Sequence, residues 1–328
     1  MKVVITTYPF GHTNAAPLKL LSDNRISFRL NKVNRKYTKE EHLKVLIEEK
    51  PDIIIAGTEK YDKDILDLVP NLKMIARVGI GLDSIPLKEC KKRKIVVTYT
   101  PDAQSNAVAE LTICQMLNML RKVQNVSRDM MEKEKWNRYI GRELSNCTVG
   151  VIGYGRVGRL VCEMLLGFGA DIYINDVDKS KIPTDEDQHR KHNCWYIEER
   201  PKNLIYKECD VITIHVPLKD DKVDNHNMIT INELEMMKDN VRLLNLSRGG
   251  IINEEDLYKW LSTHPKATVA IDTFKQEPYR DKLASLGNAY LTPHLGSCTT
   301  TSRLNMELGA AQEVINFINK EPFDNRVI

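Results

Sequence analysis

The feature that most restricts this chain is Gly153-Tyr154-Gly155-Arg156-Val157-Gly158. It lies between the strand-like run Val149 to Ile152 and a helical pattern from Val157 to Phe168. Each glycine has its own physical task. Gly153 permits a tight turn, Gly155 lets the backbone approach a pyrophosphate, and Gly158 allows close helix–strand packing. The helix start offers N–H groups and a positive dipole end to phosphates. The next apolar run ends in Asn175-Asp176, eighteen residues after Gly158. A carboxylate there binds both ribose hydroxyls of an adenosine and repels a 2′-phosphate, so the pattern predicts NAD rather than NADP. Lys179 lies close enough to soften that preference. The plainer alternative is a glycine turn followed by an Asp that only caps a turn.

The rest of the chain supplies a matching frame. Strand-like runs at Val3 to Thr6, Asp52 to Ala56, Met74 to Val78 and Ile95 to Thr98 alternate with helical patterns. Thr38 and Glu41 have capping-box spacing and open a helix that runs to about Glu49, before Pro51. Asp62 to Leu68 suits another helix. A second series holds strands at Val149 to Ile152, Asp171 to Asn175, Val211 to Val216, Val241 to Leu246 and Thr268 to Ile271. This alternation predicts an α/β protein of two Rossmann-like, doubly wound parallel sheets, with the active site in an inter-domain cleft. The helical pattern from about Asn106 to Lys122 reads as the linker between domains. The last helix, about Thr300 to Asn319, follows the second series and returns the chain to the first domain. The expected division is residues 1–100 with 296–328 as the substrate domain, and 101–295 as the NAD domain.

Composition narrows the function classes. The 328 residues carry 48 basic and 45 acidic side chains, a net charge of +3, so no strong polyanion affinity is implied. The densest basic run, Lys91 to Lys94, reads as a solvated helix end rather than a nucleic-acid site. Seven cysteines, an odd number at wide spacings, argue against a disulfide framework or a zinc site and fit a reducing cytoplasm. The N-terminus lacks the apolar core of a signal peptide, and no run approaches the ~20 residues of a membrane span. Thr184 to Asn193 is a polar stretch that reads as a surface loop. A metal site built on His189 and His192 has no further support, and none is expected.

Three polar residues follow the fingerprint at strand ends, where doubly wound folds place their ligands. Arg248 lies in Asn245-Leu-Ser-Arg248-Gly-Gly, Glu277 in Asp272-Thr-Phe-Lys-Gln-Glu277-Pro, and His294 in Leu291-Thr-Pro-His294-Leu-Gly-Ser. Oxidising an alcohol requires a base for the hydroxyl proton, and imidazole titrates near neutrality. A carboxylate against the ring fixes its tautomer. An arginine grips a substrate carboxylate with two donors and polarises a carbonyl. Singly, such a His is more often a turn residue and such an Arg a surface ion-pair partner. The ordered set behind a dinucleotide fingerprint points to hydride transfer.

From about Pro51 onward, the chain resembles the D-isomer-specific 2-hydroxyacid dehydrogenases, and within them the phosphoglycerate-dehydrogenase-like branch. Ile75-Ala-Arg-Val-Gly-Ile-Gly-Leu-Asp83 resembles that family's substrate loop. Thr100-Pro-Asp-Ala-Gln-Ser-Asn-Ala-Val-Ala-Glu110 resembles its inter-domain helix, and Trp136 to Gly158 the approach to the fingerprint. The resemblance implies that Arg248 binds the substrate carboxylate and carbonyl, His294 is the acid/base and Glu277 is its partner. Asp272 would contact the nicotinamide carboxamide side, and Val216 and Pro217 the cofactor. The backbone N–H groups of Val78 and Gly79 would hold the carboxylate. It also implies a homodimer, with a helical arm from about Val123 to Ile140.

Several positions depart from the family pattern. Asn253 stands where Asp is usual, Tyr99 replaces a common Asn, and Thr273 replaces an apolar residue. The stretch Leu218 to Ile229 is slightly long and lacks the usual Thr. The chain leaves no room after its last helix for the regulatory domain of some phosphoglycerate dehydrogenases. Specificity is placed around Ala56 to Lys60, Tyr99 and Thr299 to Arg303. Lys60 and Arg303 could serve a phosphate, but Glu59 beside Lys60 opposes it, and an ordinary surface role for these residues stays equally open. The rival from another class is an NAD(H)-sensing corepressor of the same fold. The long low-complexity tails that such proteins use for partners are absent here. A further rival is an enzyme of this fold acting on formate or phosphite.

Overall fold

The computed structural model describes residues 1–133, 135–136, 138–183, 197–219 and 223–328. The polar stretch Thr184 to Asn193, with His189 and His192, lies outside them. The chain divides into two compact units, Met1–Gln104 with Ser297–Ile328, and Ser105–Gly296.

The first unit is built on a five-stranded parallel sheet. Its strands are β1 (Val3–Ile5), β2 (Phe28–Arg29), β3 (Ile53–Ala56), β4 (Met74–Arg77) and β5 (Val96–Thr98), in the order β2-β1-β3-β4-β5. The strands are buried on both faces, which explains why Ile53-Ile54-Ile55 reads as a continuous apolar run rather than an alternating one. The helix Lys39–Glu49 starts where its capping box predicts. Glu41 N donates to Thr38 Oγ1 at 3.3 Å, and Thr38 N donates back to Glu41 Oε2 at 2.9 Å. The basic run falls at the end of a short helix, Leu87–Lys92. The helix Thr300–Asn319 belongs to this unit, packing Met306, Ala310, Ala311 and Val314 with Val3, Ile5 and Ile53 in one apolar cluster.

The second unit holds seven parallel strands: β6 (Thr148–Ile152), β7 (Asp171–Asn175), β8 (Ile197–Glu199), β9 (Val211–Ile214), β10 (Arg242–Asn245), β11 (Thr268–Ile271) and β12 (Ala289–Leu291). Their order is β12-β11-β10-β9-β6-β7-β8. From β6 the chain winds outward through β7 and β8, then resumes at β9 on the other side of β6. A ligand crevice opens at such a reversal, beyond the carboxyl ends of the strands. In the first unit the same reversal falls between β1 and β3.

The helix Ser105–Arg121 is close to the expected linker, and Val161, Cys162 and Leu165 of the helix Arg156–Phe168 share a core with its Met116 and Leu120. The segment from Val123 differs from expectation. Its helix is Val123–Lys133, whereas Lys135, Trp136 and residues 138–140 are non-helical. Its exposed face carries Met130 and Met131, and Trp136 and Ile140 follow, also exposed. Among the described residues no helix is long and apolar enough to cross a membrane, and no group of three His, Cys, Asp or Glu could hold a metal ion.

Candidate active site

Every fingerprint and triad residue lies in the second unit, beyond the carboxyl ends of its strands. After β6 the chain turns at Gly153, whose φ of +99° is left-handed. A Cβ there would stand 2.5 Å from the His215 carbonyl oxygen and 2.9 Å from Val216, because the turn presses on the end of β9. A Cβ on Gly158 would overlap the Gly153 carbonyl. At Gly155 the reverse holds, with no atom within 4 Å of a built Cβ. Gly155 is also the N-cap of Arg156–Phe168, and no side chain caps that helix. The helix start at Arg156, Val157 and Gly158 thus receives no bond from its N-cap side chain, and the open space lies at Gly155 beside it. These are the requirements of a pyrophosphate cradle.

Asp176, 9% exposed, follows β7. Its Oδ2 accepts from Tyr154 N and its Oδ1 from Asp178 N, each at 2.8 Å, so the carboxylate is fixed against the glycine turn. Ribose hydroxyls fit the remaining lone pairs. The neighbouring cation is not the expected one. Lys179 pairs with Glu199, whereas Lys181 Nζ lies 3.7 Å from Asp176. Val216 and Pro217 follow β9. Sequence reasoning missed His215 beside them. Its Nε2 meets Thr213 Oγ1 at 2.9 Å, and desolvation lowers the imidazole to about 3, so it stays neutral.

The triad residues are presented by three neighbouring strands. Beyond β10, buried Asn245 ties the next turn together. Its Oδ1 accepts from Ser247 Oγ at 2.8 Å, and its Nδ2 donates to the Arg248 carbonyl at 2.8 Å. Arg248 Nη1 donates to the Ser247 carbonyl. Gly249 then lies directly against the Phe274 backbone, which brings the Arg248 turn onto the loop after β11. That loop carries Glu277, whose Oε1 accepts from Phe274 N at 3.2 Å. His294 follows β12, with Nδ1 3.0 Å and 3.1 Å from the two Glu277 oxygens. An ionised carboxylate only accepts, so this contact places the ring proton on Nδ1 and turns Nε2 into the acceptor. Both side chains are about two-fifths exposed, within reach of a small substrate. The spacing of three separate motifs thus resolves into one Glu–His pair beside an arginine turn.

Val78 and Gly79 lie in the first unit and differ from expectation. Val78 N donates to the Ala56 carbonyl at 2.9 Å, and Gly79 N donates to Thr100 Oγ1 at 2.8 Å. Both amides assigned to a substrate carboxylate are engaged, one by the sheet and one by a buried hydroxyl. Arg303 is likewise committed, donating to the Pro9 carbonyl and to Glu307, which is 1% exposed. Glu59, 5% exposed, accepts from Gly57 N at 2.7 Å and so braces the loop after β3. Asn253 caps the helix Glu254–Thr263 by accepting from Asp256 N, a task its amide performs as a carboxylate would.

Comparison with known proteins agrees with this geometry. A family model described as the NAD binding domain of D-isomer specific 2-hydroxyacid dehydrogenases matches residues 113–296. The hydroxypyruvate reductase of Thermotoga maritima is 33% identical over 284 residues, covering 84% of this chain and 88% of that protein. The glyoxylate reductase of Thermococcus litoralis is 31% identical over 279 residues, covering 82% and 81%. Among solved structures, NAD+-bound 3-phosphoglycerate dehydrogenase from Entamoeba histolytica superposes with a TM-score of 0.81. It is 26% identical, over 100% of this chain and 98% of that one.

Proposed function

This chain belongs to the D-isomer specific 2-hydroxyacid dehydrogenases, and from that premise we propose that it interconverts a small D-2-hydroxy acid and its 2-oxo acid with Arg248, Glu277 and His294 as catalytic residues. The observation that carries this reading is the His294–Glu277 contact in the same unit as the glycine cradle. The open space at Gly155 and the uncapped helix start suit NAD, which when bound accepts or returns the hydride at C2.

His294 Nε2 takes the hydroxyl proton in oxidation, and Nδ1 stays on Glu277, which stabilises the imidazolium that forms. In reduction the same proton returns to the carbonyl oxygen. Arg248 holds the substrate carboxylate and polarises the carbonyl. Tyr154, Arg156 and Val157 present the cradle backbone, Asp176 takes the ribose, and Val216, Pro217 and Asp272 serve the nicotinamide half. The units take the roles of substrate domain and NAD domain. Because Arg303 is tied to Glu307 and Glu59 braces the loop after β3, the reading favours an acid without a phosphate.

We further infer a cytoplasmic homodimer. The exposed Met130, Met131, Trp136 and Ile140 form an apolar surface suited to a second copy. Buried thiols at Cys90, Cys147, Cys162 and Cys209, outside any disulfide, suit a reducing compartment. The experiment is NADH consumption with hydroxypyruvate, glyoxylate, pyruvate, 2-oxoglutarate and phosphohydroxypyruvate, alongside light scattering for mass. Turnover above ~1 s⁻¹ on an unphosphorylated acid meets the proposal. Preference for phosphohydroxypyruvate overturns the side-chain reading. Tight NADH binding without turnover on any acid favours the sensor reading.

A further inference from the structure

His294 holds a backbone conformation that a residue with a Cβ rarely adopts. Its φ is +55°, in the left-handed region. Such a conformation persists where its surroundings over-determine it. One buried side chain does this here. Asp272 is the first residue beyond β11 and is 1% exposed. Its Oδ1 accepts from Thr292 Oγ1 at 2.6 Å and from Leu295 N at 2.7 Å. Its Oδ2 accepts from Gly296 N at 2.9 Å. The carboxylate therefore grips the chain two residues before His294 and at both residues after it. Two sheet bonds fix the base of the grip. Asp272 N donates to the Asn245 carbonyl at 3.1 Å, and Thr292 N donates to the Ile271 carbonyl at 3.0 Å. Within the turn, His294 N donates to the Thr292 carbonyl at 3.0 Å.

We propose that Asp272 is the positioning residue of His294. Its carboxylate clamps the Thr292–Gly296 turn so that the left-handed His294 keeps Nδ1 on Glu277 and directs Nε2 to the substrate. The inference rests on His294 being the acid/base, and it adds a task to the residue expected at the nicotinamide. Three of the roughly four acceptor positions of a carboxylate are taken by the turn. An anion suits the task because three donors converge on it, and hydrogen bonds to an ionised acceptor are about twice as strong as neutral ones. Asparagine cannot replace it. An amide offers one acceptor oxygen, so its NH2 would face either Gly296 N or Leu295 N, donor against donor, and only the Thr292 hydroxyl could turn to accept.

The test uses Asp272→Asn, Thr292→Val and Thr292→Ser in the full chain, with thermal melts to confirm folding. Thr292→Val keeps the shape and removes one donor, whereas Thr292→Ser keeps the hydroxyl. Nuclear magnetic resonance of the cofactor-free protein, labelled with 15N-histidine, reads the His294 Nδ1–H signal, assigned by its loss in His294→Gln. NADH affinity is read by fluorescence, and kcat on the best acid of the panel. The expected result is a weakened or lost His294 signal in Asp272→Asn and Thr292→Val and a normal one in Thr292→Ser. NADH Kd should stay within ~3-fold in Thr292→Val, and kcat should fall about 100-fold in Asp272→Asn, the scale of a small misplacement of a reacting group. An unchanged signal overturns the proposal, and a raised NADH Kd beside it assigns Asp272 to the cofactor alone. If Asp272→Asn does not fold, the Thr292 pair decides. A wild-type protein that shows the His294 signal but reduces no acid overturns the functional reading, and the clamp is still read by the signal.

Discussion

The glycine turn after β6 and the histidine turn after β12 both follow the carboxyl ends of strands in one sheet, yet they are shaped in opposite ways. The first takes its form from missing atoms. Gly153 and Gly158 have no room for a Cβ, and Gly155 has a space that a Cβ would begin to fill. The second takes its form from an added group, the buried Asp272 carboxylate and its three donors. A cradle for a large anion needs backbone and emptiness. A site for one proton needs a side chain held at one place and one angle. The arginine turn after β10 follows the second pattern, with Asn245 in the part that Asp272 plays.

Substitutions can break this contrast. The largest expected loss is chemical: His294→Ala and Arg248→Ala should each lower kcat by about 10²–10⁴, measured as NADH consumption, with NADH affinity retained. Near-normal turnover in either removes the role assigned to it. Next comes Gly158→Ala, whose Cβ would meet the Gly153 carbonyl. It should cost about 1–3 kcal/mol by denaturant unfolding and weaken NADH binding with it. Gly155→Ala sharpens the contrast, because its Cβ meets no protein atom. It should cost about 1 kcal/mol or less as an N-cap change while NADH Kd rises by calorimetry. Equal losses of stability in the two variants would show that the cradle is not space reserved for a ligand. The smallest effect is far from either turn. Thr38→Ala removes the capping box of Lys39–Glu49 and should lower stability by about 1 kcal/mol without altering kcat.

The contrast also explains what could be read without coordinates. Missing side chains at fixed spacing are a local pattern, so the Gly153–Gly158 turn, the Asp176 strand end and the flanking apolar strands were legible. So were Arg248, Glu277 and His294, each beside a recognisable turn. The clamp was not, because Asp272 and Thr292 meet across 20 residues and no periodicity links them. The use of Val78 N by the sheet and Gly79 N by Thr100 depends on strand register, which composition does not reveal. Strands β2 and β8 escaped because charged residues break them (Phe28-Arg29, Ile197-Glu198-Glu199), and β12 because Ala289-Tyr290-Leu291 lacks the β-branched residues that marked the equally short β1 and β5. The helix from Val123 was expected to reach Ile140 and instead ends at Lys133, seven residues short.

The placement of Thr300–Asn319 has a consequence for the order in which the protein is made. A ribosome adds every residue of the second unit, Ser105–Gly296, before it reaches the last part of the first. Until then the sheet face of Val3, Ile5 and Ile53 waits without Met306, Ala310 and Val314, its partners in the finished core. The unit that starts first is therefore the one that finishes last. During that interval the nascent chain presents uncovered apolar sheet surface, the condition in which growing polypeptides are most prone to aggregate and most in need of a chaperone.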